Sequence, residues 1–411
     1  MVEIVKFVIL LKFSMTFLSN RVQELSESAT IAMAEKSRQL KSEGRDVISL
    51  SLGEPDFNVP DFIKEAAKKG IDENYSKYMP VPGYLDLREA IAEKFKRDNG
   101  LTYSANQIVV STGAKQSLIN VILALVNPGD EVIIPAPYWV TYYEQVKMAG
   151  GIPIVISTSI DDDFKMTAMQ LKNAITDKTK LMMFSNPCNP TGSSYTKEEL
   201  KSLANVVAET PNFYVISDEI YEHINFVRKH ESFAQFDNVY DRTITVNGVS
   251  KAFAMTGYRV GYIGAPVAIA KAATKLQGQY TSGTCSIGQR ATLAAVSENP
   301  EKIKFMIDAF AVRRTLVHNL LKEIPGLKIN EPEGAFYFFF DISSFFGKSY
   351  NGKIINTATE LSLFLLDEGL IALVTGEAFG DDNCIRLSYA ASEEVLIESL
   401  KRIKATLAKL K

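Results

Sequence analysis

The chain has 411 residues, 46% apolar and 23% charged, which is the composition of a globular protein large enough for more than one domain and excludes wholesale disorder. Its formal net charge is −3 and its Lys and Arg are scattered, so it carries no electrostatic footprint for nucleic acid. Cys188, Cys285 and Cys384 lie far apart, and His223, His230 and His318 form no pair at zinc-site intervals, which argues against a disulfide framework or structural metal and fits a reducing cytoplasm.

Met1 to Leu18 is apolar but broken by Glu3, Lys6 and Lys12, so no run there is long enough to span a membrane. Lys12 also interrupts any signal-peptide core and no small-residue cleavage site follows, so residues 1–17 read as an N-terminal extension with Met15 as an alternative start. Residues 18–55, a helix followed by Val47-Ile48-Ser49-Leu50, read as an arm joined to a small domain.

Over residues 56–299, short apolar, β-branched runs alternate with helical spacing, which predicts an α/β domain with a largely parallel sheet. The predicted strands are Ile108 to Ser111, Glu131 to Ile134, Leu181 to Phe184, Tyr214 to Ser217, Thr243 to Val246 and Tyr262-Ile263. Lys115 to Val126, Lys197 to Ala208 and Val267 to Gln277 are the predicted helices between them. From residue 300 to 411 the character changes to a smaller α+β domain. It holds a helix from Glu301 to Glu323, a strand from Gly334 to Phe340, a helix from Thr357 to Glu368 and a strand from Ile385 to Ser388. Reactive groups would then lie at strand ends near a domain cleft.

Six stretches can carry chemistry, and each has a plainer alternative. Ser111-Thr112-Gly113-Ala114-Lys115-Gln116 joins a strand to a helix, where backbone donors, the helix dipole and the Lys115 ammonium can receive an anion; it can also be a simple connector. Pro135-Ala136-Pro137-Tyr138-Trp139 sets the chain's single tryptophan in a stiff loop, as a stacking platform or as core. Asn186-Pro187-Cys188-Asn189-Pro190-Thr191-Gly192 is forced onto a defined non-helical path that can aim the Asn189 amide into a cleft, although paired Asn-Pro steps also mark surface turns. Asp218, directly after an apolar run, needs a cationic partner or caps the next helix; Tyr221 follows it as a phenol or as packing. Lys251 comes eight residues before Arg259, whose fork suits a phosphate dianion, and an amine near such charge has a lowered pKa and can act as a nucleophile, although a lysine taken alone reads as solvated surface. Arg386 is a charge inside an apolar strand and needs either a substrate carboxylate or an internal acid.

Taken in order, these residues resemble the fold-type I pyridoxal phosphate enzymes, specifically class I/II aminotransferases of the aspartate aminotransferase family. The match runs from about Leu18 to the C-terminus and includes Ser51 to Phe57 and Tyr78 to Gly83. The resemblance implies a large domain with a mostly parallel seven-stranded sheet in an α/β/α sandwich, plus the smaller α+β domain. It implies that Lys251 binds pyridoxal 5'-phosphate covalently, that Asp218 pairs with the pyridine nitrogen, that Asn189 and Tyr221 bond the ring oxygen and that Trp139 stacks on the ring. Gly113, Ala114, Lys115, Ser250 and Arg259 would surround the phosphate, with Tyr78 reaching it from the neighbouring subunit of a homodimer. Arg386 would clamp the substrate α-carboxylate, assisted by Gly53, Asn189 and Trp139. Gly248 departs from the many relatives that carry a phosphate-binding serine at that position.

The implied reaction moves the amino group of L-aspartate to 2-oxoglutarate by a ping-pong route, giving oxaloacetate and L-glutamate. Gln277 to Gln289 contains no Lys or Arg, where one branch of the family holds the distal carboxylate with an arginine from the partner subunit. A second branch, which this chain resembles more closely, uses the lysine at the position of Lys115, which implies a substrate role for Lys115 as well as, or instead of, a phosphate role. Aromatic amino acids, alanine and prephenate are the alternative substrates; some relatives accepting prephenate carry a basic residue near Ser26. A lyase on the same cofactor would share nearly all these residues. A ligand-sensing regulator would need an added DNA-binding domain, for which the segment before Ser51 leaves no room.

Overall fold

The computed structural model describes residues 17–411; residues 1–16, with nearly all of the expected extension and the alternative start at Met15, lie outside the described residues. Its centre is a sheet of strands β1 (Ile108–Ser111), β2 (Glu131–Ala136), β3 (Ile152–Ser157), β4 (Thr179–Ser185), β5 (Tyr214–Asp218), β6 (Thr243–Gly248) and β7 (Gly261–Gly264). The order across the sheet is β1-β7-β6-β5-β4-β2-β3, and every pairing is parallel except those that β7 makes with β1 and β6. This is an α/β fold.

Helices on both faces explain why the inner strands read as continuous apolar runs. Alternate residues go to opposite sides: Val132, Ile134, Leu181, Met183 and Ile216 pack with Leu118 and Ile122 of helix Ala114–Leu125, while Ile133, Met182 and Val215 pack with Leu200, Leu203 and Val207 of helix Lys197–Glu209. A capping box between Thr196 and Glu199 starts the latter helix.

The sequence reading misses β3. Its stretch, Ile-Pro-Ile-Val-Ile-Ser, contains Pro153 and follows Gly150-Gly151, signals that weaken a strand assignment. The structure shows why proline is tolerated: β3 is the edge strand, paired to β2 alone, and Ile152 and Val155 are exposed.

The C-terminal part builds a second core around the antiparallel strands β8 (Tyr337–Asp341), β9 (Val374–Thr375) and β10 (Cys384–Ser388), in the order β9-β10-β8. Phe336, Phe338 and Phe340 meet Phe310, Val317 and Leu321 of helix Lys304–Lys322 and Leu400 and Ile403 of helix Glu393–Leu407. Two predicted boundaries shift. Gly334 and Ala335 stay out of β8, because Ala335 has φ +56° and its N–H bonds the Ile224 carbonyl. Glu301 to Ile303 forms a 3₁₀ turn behind Pro300, so the α-helix starts at Lys304. Chain from before the large sheet joins this part: the short strand Ile48–Ser49 pairs parallel with Ile371–Ala372, and Arg313 holds Asp56 bidentately at 2.7 and 2.9 Å.

Candidate active site

The parallel strands deliver their reactive residues to one edge of the sheet. Gly113 and Ala114 follow β1, Trp139 follows β2, Ser185 ends β4, Asp218 ends β5 and Lys251 follows β6, so all emerge at carboxyl ends, where open α/β sheets form their binding crevice. Ala114, Trp139, Ser185, Asp218 and Lys251, together with Arg386 from β10 and Tyr337 from β8, enclose a cavity of about 190 Å³. A wider cleft of about 740 Å³ shares Lys115 and Thr141 with it and takes in Arg259, Tyr138 and the segment from Leu25 to Ala29.

Lys251 lies in a turn beyond β6, its Nζ donating to the Gly53 carbonyl at 2.5 Å. Burial lowers its pKa to about 8; Arg386 and Arg259 add to the drop, and Glu54 and Asp218 oppose it. Gly53 has to be glycine here, since a Cβ would stand 1.9 Å from the Tyr337 hydroxyl.

Asp218 is buried, and burial raises its carboxyl to about 6, against the hydrogen bonds that favour the anion. Those come from the Tyr142 hydroxyl, at 2.7 Å, and the Ile220 N–H, at 3.3 Å. No helix follows Asp218; the chain runs into a turn, so helix capping does not explain it. Tyr221 turns back to the cavity, its hydroxyl 2.7 Å from that of Tyr337, and burial holds its pKa well above the ordinary tyrosine value.

Arg386 is the largest fully buried side chain described. One Nη donates to the Asn189 Oδ1 at 2.9 Å and the other to the Ser51 carbonyl, while Nε has no partner. Burial pulls its pKa down and no carboxylate opposes that pull, so the internal acid that sequence reasoning left open as a partner is not there. A buried guanidinium without an anion is costly, and Arg386 lines a cavity that can supply one.

In the loop that aims Asn189, the first asparagine is structural. The Asn186 side-chain Oδ1 accepts from the Ser194 hydroxyl and the Tyr195 N–H, and its Nδ2 donates to the Glu231 carbonyl. Asn189 itself is left to meet Arg386.

A second cationic locus forms at the start of helix Ala114–Leu125, whose first N–H groups have no intrahelical acceptor. Gly113 has φ +78°, and a Cβ on it would stand 2.5 Å from an Arg259 Nη, so the guanidinium packs directly against this backbone. Lys115 lies 5.0 Å above the Trp139 ring; burial and Arg259 lower its pKa, and no carboxylate counters them. Backbone donors, a helix N-terminus and two cations with no ion pair among the described residues can receive an anion.

Two of the expected site residues stand elsewhere. Ser250 is buried but does not line the cavity, and Tyr78 is 99% exposed on the surface, outside the cavity of its own chain. Gly248 cannot take a serine in this backbone, because a Cβ there would stand 2.9 Å from the Val260 carbonyl oxygen at the entry to β7. Sequence reasoning did not find Tyr142, Tyr337 or Ser185. The only signal for Tyr142 is its place three residues after Trp139 on helix Thr141–Met148.

A doubly wound sheet that presents a half-buried lysine and a buried aspartate at its carboxyl edge, facing a buried arginine from the second sheet, defines an enzyme acting on small anionic, amine-bearing molecules. The model of the family described as aminotransferase class I and II matches residues 45–403, and the chain belongs to that family. It is 46% identical over 399 residues to the bifunctional aspartate aminotransferase and glutamate/aspartate-prephenate aminotransferase of Petunia hybrida, covering 96% of this chain and 83% of that one. It is likewise 46% identical to the aspartate/prephenate aminotransferase of Cereibacter sphaeroides, over 96% of this chain and all of the other. Among solved structures, the aspartate aminotransferase of Rhizobium meliloti superposes with a TM-score of 0.93 at 40% identity, covering 96% and 99% of the two chains. That of Thermus thermophilus with maleate gives 0.89 at 39% identity, covering 95% and 99%.

Proposed function

We propose that this aminotransferase uses pyridoxal 5'-phosphate to move the amino group of L-aspartate to 2-oxoglutarate. The observation that carries the reading is the buried Arg386 with its unpartnered Nε, across the same cavity from Lys251, a buried amine whose hydrogen bond goes to a carbonyl. The residues fit the cofactor. Asp218 supplies an anion for a pyridinium nitrogen, Tyr221 and Asn189 supply donors for the ring oxygen, and the Trp139 indole supplies a stacking face. Gly113, Ala114, Lys115 and Arg259 form the phosphate cradle, without Ser250, which lies outside the cavity.

Bound there, the cofactor supplies an electrophilic carbonyl carbon and a ring that takes up electron density from the substrate Cα. Lys251, with its pKa brought to about 8, would hold the cofactor through its neutral amine and would carry the substrate Cα proton. Asp218 would keep the ring nitrogen protonated. Arg386 orients the α-carboxylate, with Gly53, Asn189 and Trp139 completing the substrate cradle.

Aspartate is favoured because Lys115 offers a second cation for a distal carboxylate and because a similar enzyme was solved with maleate, a dicarboxylate. Prephenate is the second reading, favoured by the width of the adjoining cleft and by relatives named for that activity. Half-reactions with Asp, Glu, Ala, Tyr and Phe, followed by absorbance, test the choice. Lys115→Ala is expected to weaken Asp far more than Ala, and equal weakening would remove its distal role.

The same reading makes the enzyme a homodimer in which Tyr78 completes the partner's phosphate site. It divides the chain into residues 18–55 and 300–411 as the smaller domain and 56–299 as the cofactor domain. Three unpaired cysteines support a cytoplasmic setting, and among the described residues no helix is long and apolar enough to cross a membrane.

A further inference from the structure

The turn that carries Tyr221 is held from behind. Asp218 and Tyr221 line the cavity, whereas the interleaved Glu219 and Glu222 do not, although both are buried. Beyond β5 this segment makes turn bonds rather than a helix: the Glu222 N–H reaches the Glu219 carbonyl at 2.9 Å and the Ile224 N–H the Tyr221 carbonyl at 2.8 Å. A turn with so few backbone bonds depends on side-chain ties to keep one shape.

Glu222 supplies such a tie. One of its oxygens meets the Lys94 Nζ, the other accepts from the Asn99 amide at 2.7 Å, and Lys94 also donates to the Asn99 Oδ1 at 2.9 Å. Lys94 and Asn99 reach it by an irregular route, because helix Leu85–Lys94 continues as a π-helical turn, Phe95–Asn99. On an α-helix, side chains five apart diverge by about 140°, since each residue turns about 100°. The wider i→i+5 turn brings both onto one face, and π-turns occur frequently at functional sites.

The charges around this clamp are accounted for. Asp98 lies 3.8 Å from the Lys94 Nζ and the His223 Nε2 lies 3.2 Å from Glu222, while Glu219 and His230 approach from the other side. Arg97 pairs with Asp98 at 2.6 Å, so the Lys94 ammonium is the cation that meets Glu222 directly. Burial pushes the Glu222 carboxyl up, but Lys94, His223 and His230 outweigh it and hold it at about 2. Glu222 is therefore ionised across the working pH range. His223 also sets its ring edge-on to Phe253, centroids 6.0 Å apart, two residues after Lys251.

We propose that Glu222, gripped by Lys94 and Asn99, is a positioning residue that fixes the Tyr221 hydroxyl at the cofactor's ring oxygen. The inference rests on the role given to Tyr221 above. A hydroxyl donated to that oxygen stabilises its negative form and so lowers the pKa of the covalent Lys251 linkage; a displaced hydroxyl lets that pKa rise.

The test uses the holoenzyme as wild type, Asn99→Ala, Glu222→Gln and the double variant Lys94→Met/Glu222→Gln, with Tyr221→Phe as reference. The linkage pKa is read by absorbance titration, cofactor affinity by quenching of Trp139 fluorescence, and Tm by calorimetry. Each clamp variant is expected to raise the linkage pKa in the same direction as Tyr221→Phe, by about 0.5–1 unit, part of the ~1–2 units for complete loss of a hydrogen bond to a charged oxygen. The double variant should recover Tm lost in Glu222→Gln, which strands the Lys94 charge, without recovering the linkage pKa. A wild-type linkage pKa in Asn99→Ala and in the double variant, with only Tm changed, would overturn the proposal. Asn99→Ala keeps the ion pair and decides the matter if Glu222→Gln does not fold. Absence of any borohydride-reducible bond at Lys251 in wild type overturns the functional reading itself and this inference with it, whereas an unshifted Tyr221→Phe overturns only the Tyr221 role and what rests on it.

Discussion

Lys251 donates to a backbone carbonyl rather than to a carboxylate, and its pKa of about 8 leaves a usable fraction of neutral amine near neutrality. Only that neutral form attacks a carbonyl. Cofactor capture by the apoprotein should therefore quicken about tenfold per pH unit below 8 and level off above it, in stopped-flow absorbance. A flat profile between about pH 6.5 and 9 would contradict the lowered pKa. The sign for stability follows from the same shift: the folded value lies below the ordinary 10.5, so the folded protein sheds this proton first. The apoprotein should gain stability as pH rises from about 8 towards 10.5. Lys251→Ala should still bind the cofactor but lose multiple turnover by more than about 10³-fold, the scale of a missing general base, in a coupled keto-acid assay. Arg386→Lys keeps the charge but not the fork. It should lower kcat/KM for every amino acid by about 10- to 100-fold, through a hydrogen bond to a charged group, whereas unchanged values would dissociate Arg386 from the shared α-carboxylate. Residues of this kind were legible in sequence because loops at strand ends announce themselves through Gly, Pro and polar side chains in apolar surroundings. Tyr142 and Tyr337 were not, since a tyrosine on a helix or strand reads as packing until the fold shows where its hydroxyl ends.

Among the elements, the join between β1 and helix Ala114–Leu125 does the most for binding. Its geometry depends on Gly113, at φ +78° and with Arg259 against the space a side chain would fill. Gly113→Ala should cost about 1–2 kcal/mol of stability from the left-handed backbone alone. Displacement of Arg259 should in addition weaken pyridoxal 5'-phosphate about tenfold while leaving pyridoxal, which lacks the phosphate, nearly unaffected. Fluorescence titrations of Trp139 with the two compounds separate these outcomes, and equal losses for both would place the anion site elsewhere. The sheet was legible wherever a strand is covered on both faces, because burial there imposes an unbroken apolar run. At β3 that condition fails: an edge strand with Pro153 and exposed Ile152 and Val155 has neither the run nor a clean alternation. The start of β8 was likewise hidden, since the turn at Gly334 and Ala335 is fixed by the distant Ile224 carbonyl and nothing local reports it.

At the scale of the whole molecule, the exposed tyrosine at position 78 is the feature one chain cannot explain. Tyr78 is 99% exposed and sits on the loop beside Tyr75 and Tyr84, away from its own cavity, so its proposed role depends on a second subunit. A shared site has a consequence that a self-contained one lacks. In a hybrid of a Lys251→Ala subunit with a Tyr78→Phe subunit, one site holds both defects, while the other has its own Lys251 and receives Tyr78 from the partner, and is thus intact. Random reassociation of two weakly active homodimers should therefore restore about one quarter of wild-type activity, because about half the dimers are hybrids and each has one good site of two. If Tyr78 instead served its own chain, each hybrid site would carry one defect, and mixing would restore nothing. The chain weighs 45.5 kDa, so sedimentation of the same mixtures should show a species of about twice that mass, and a monomer that is fully active would sink the shared-site arrangement.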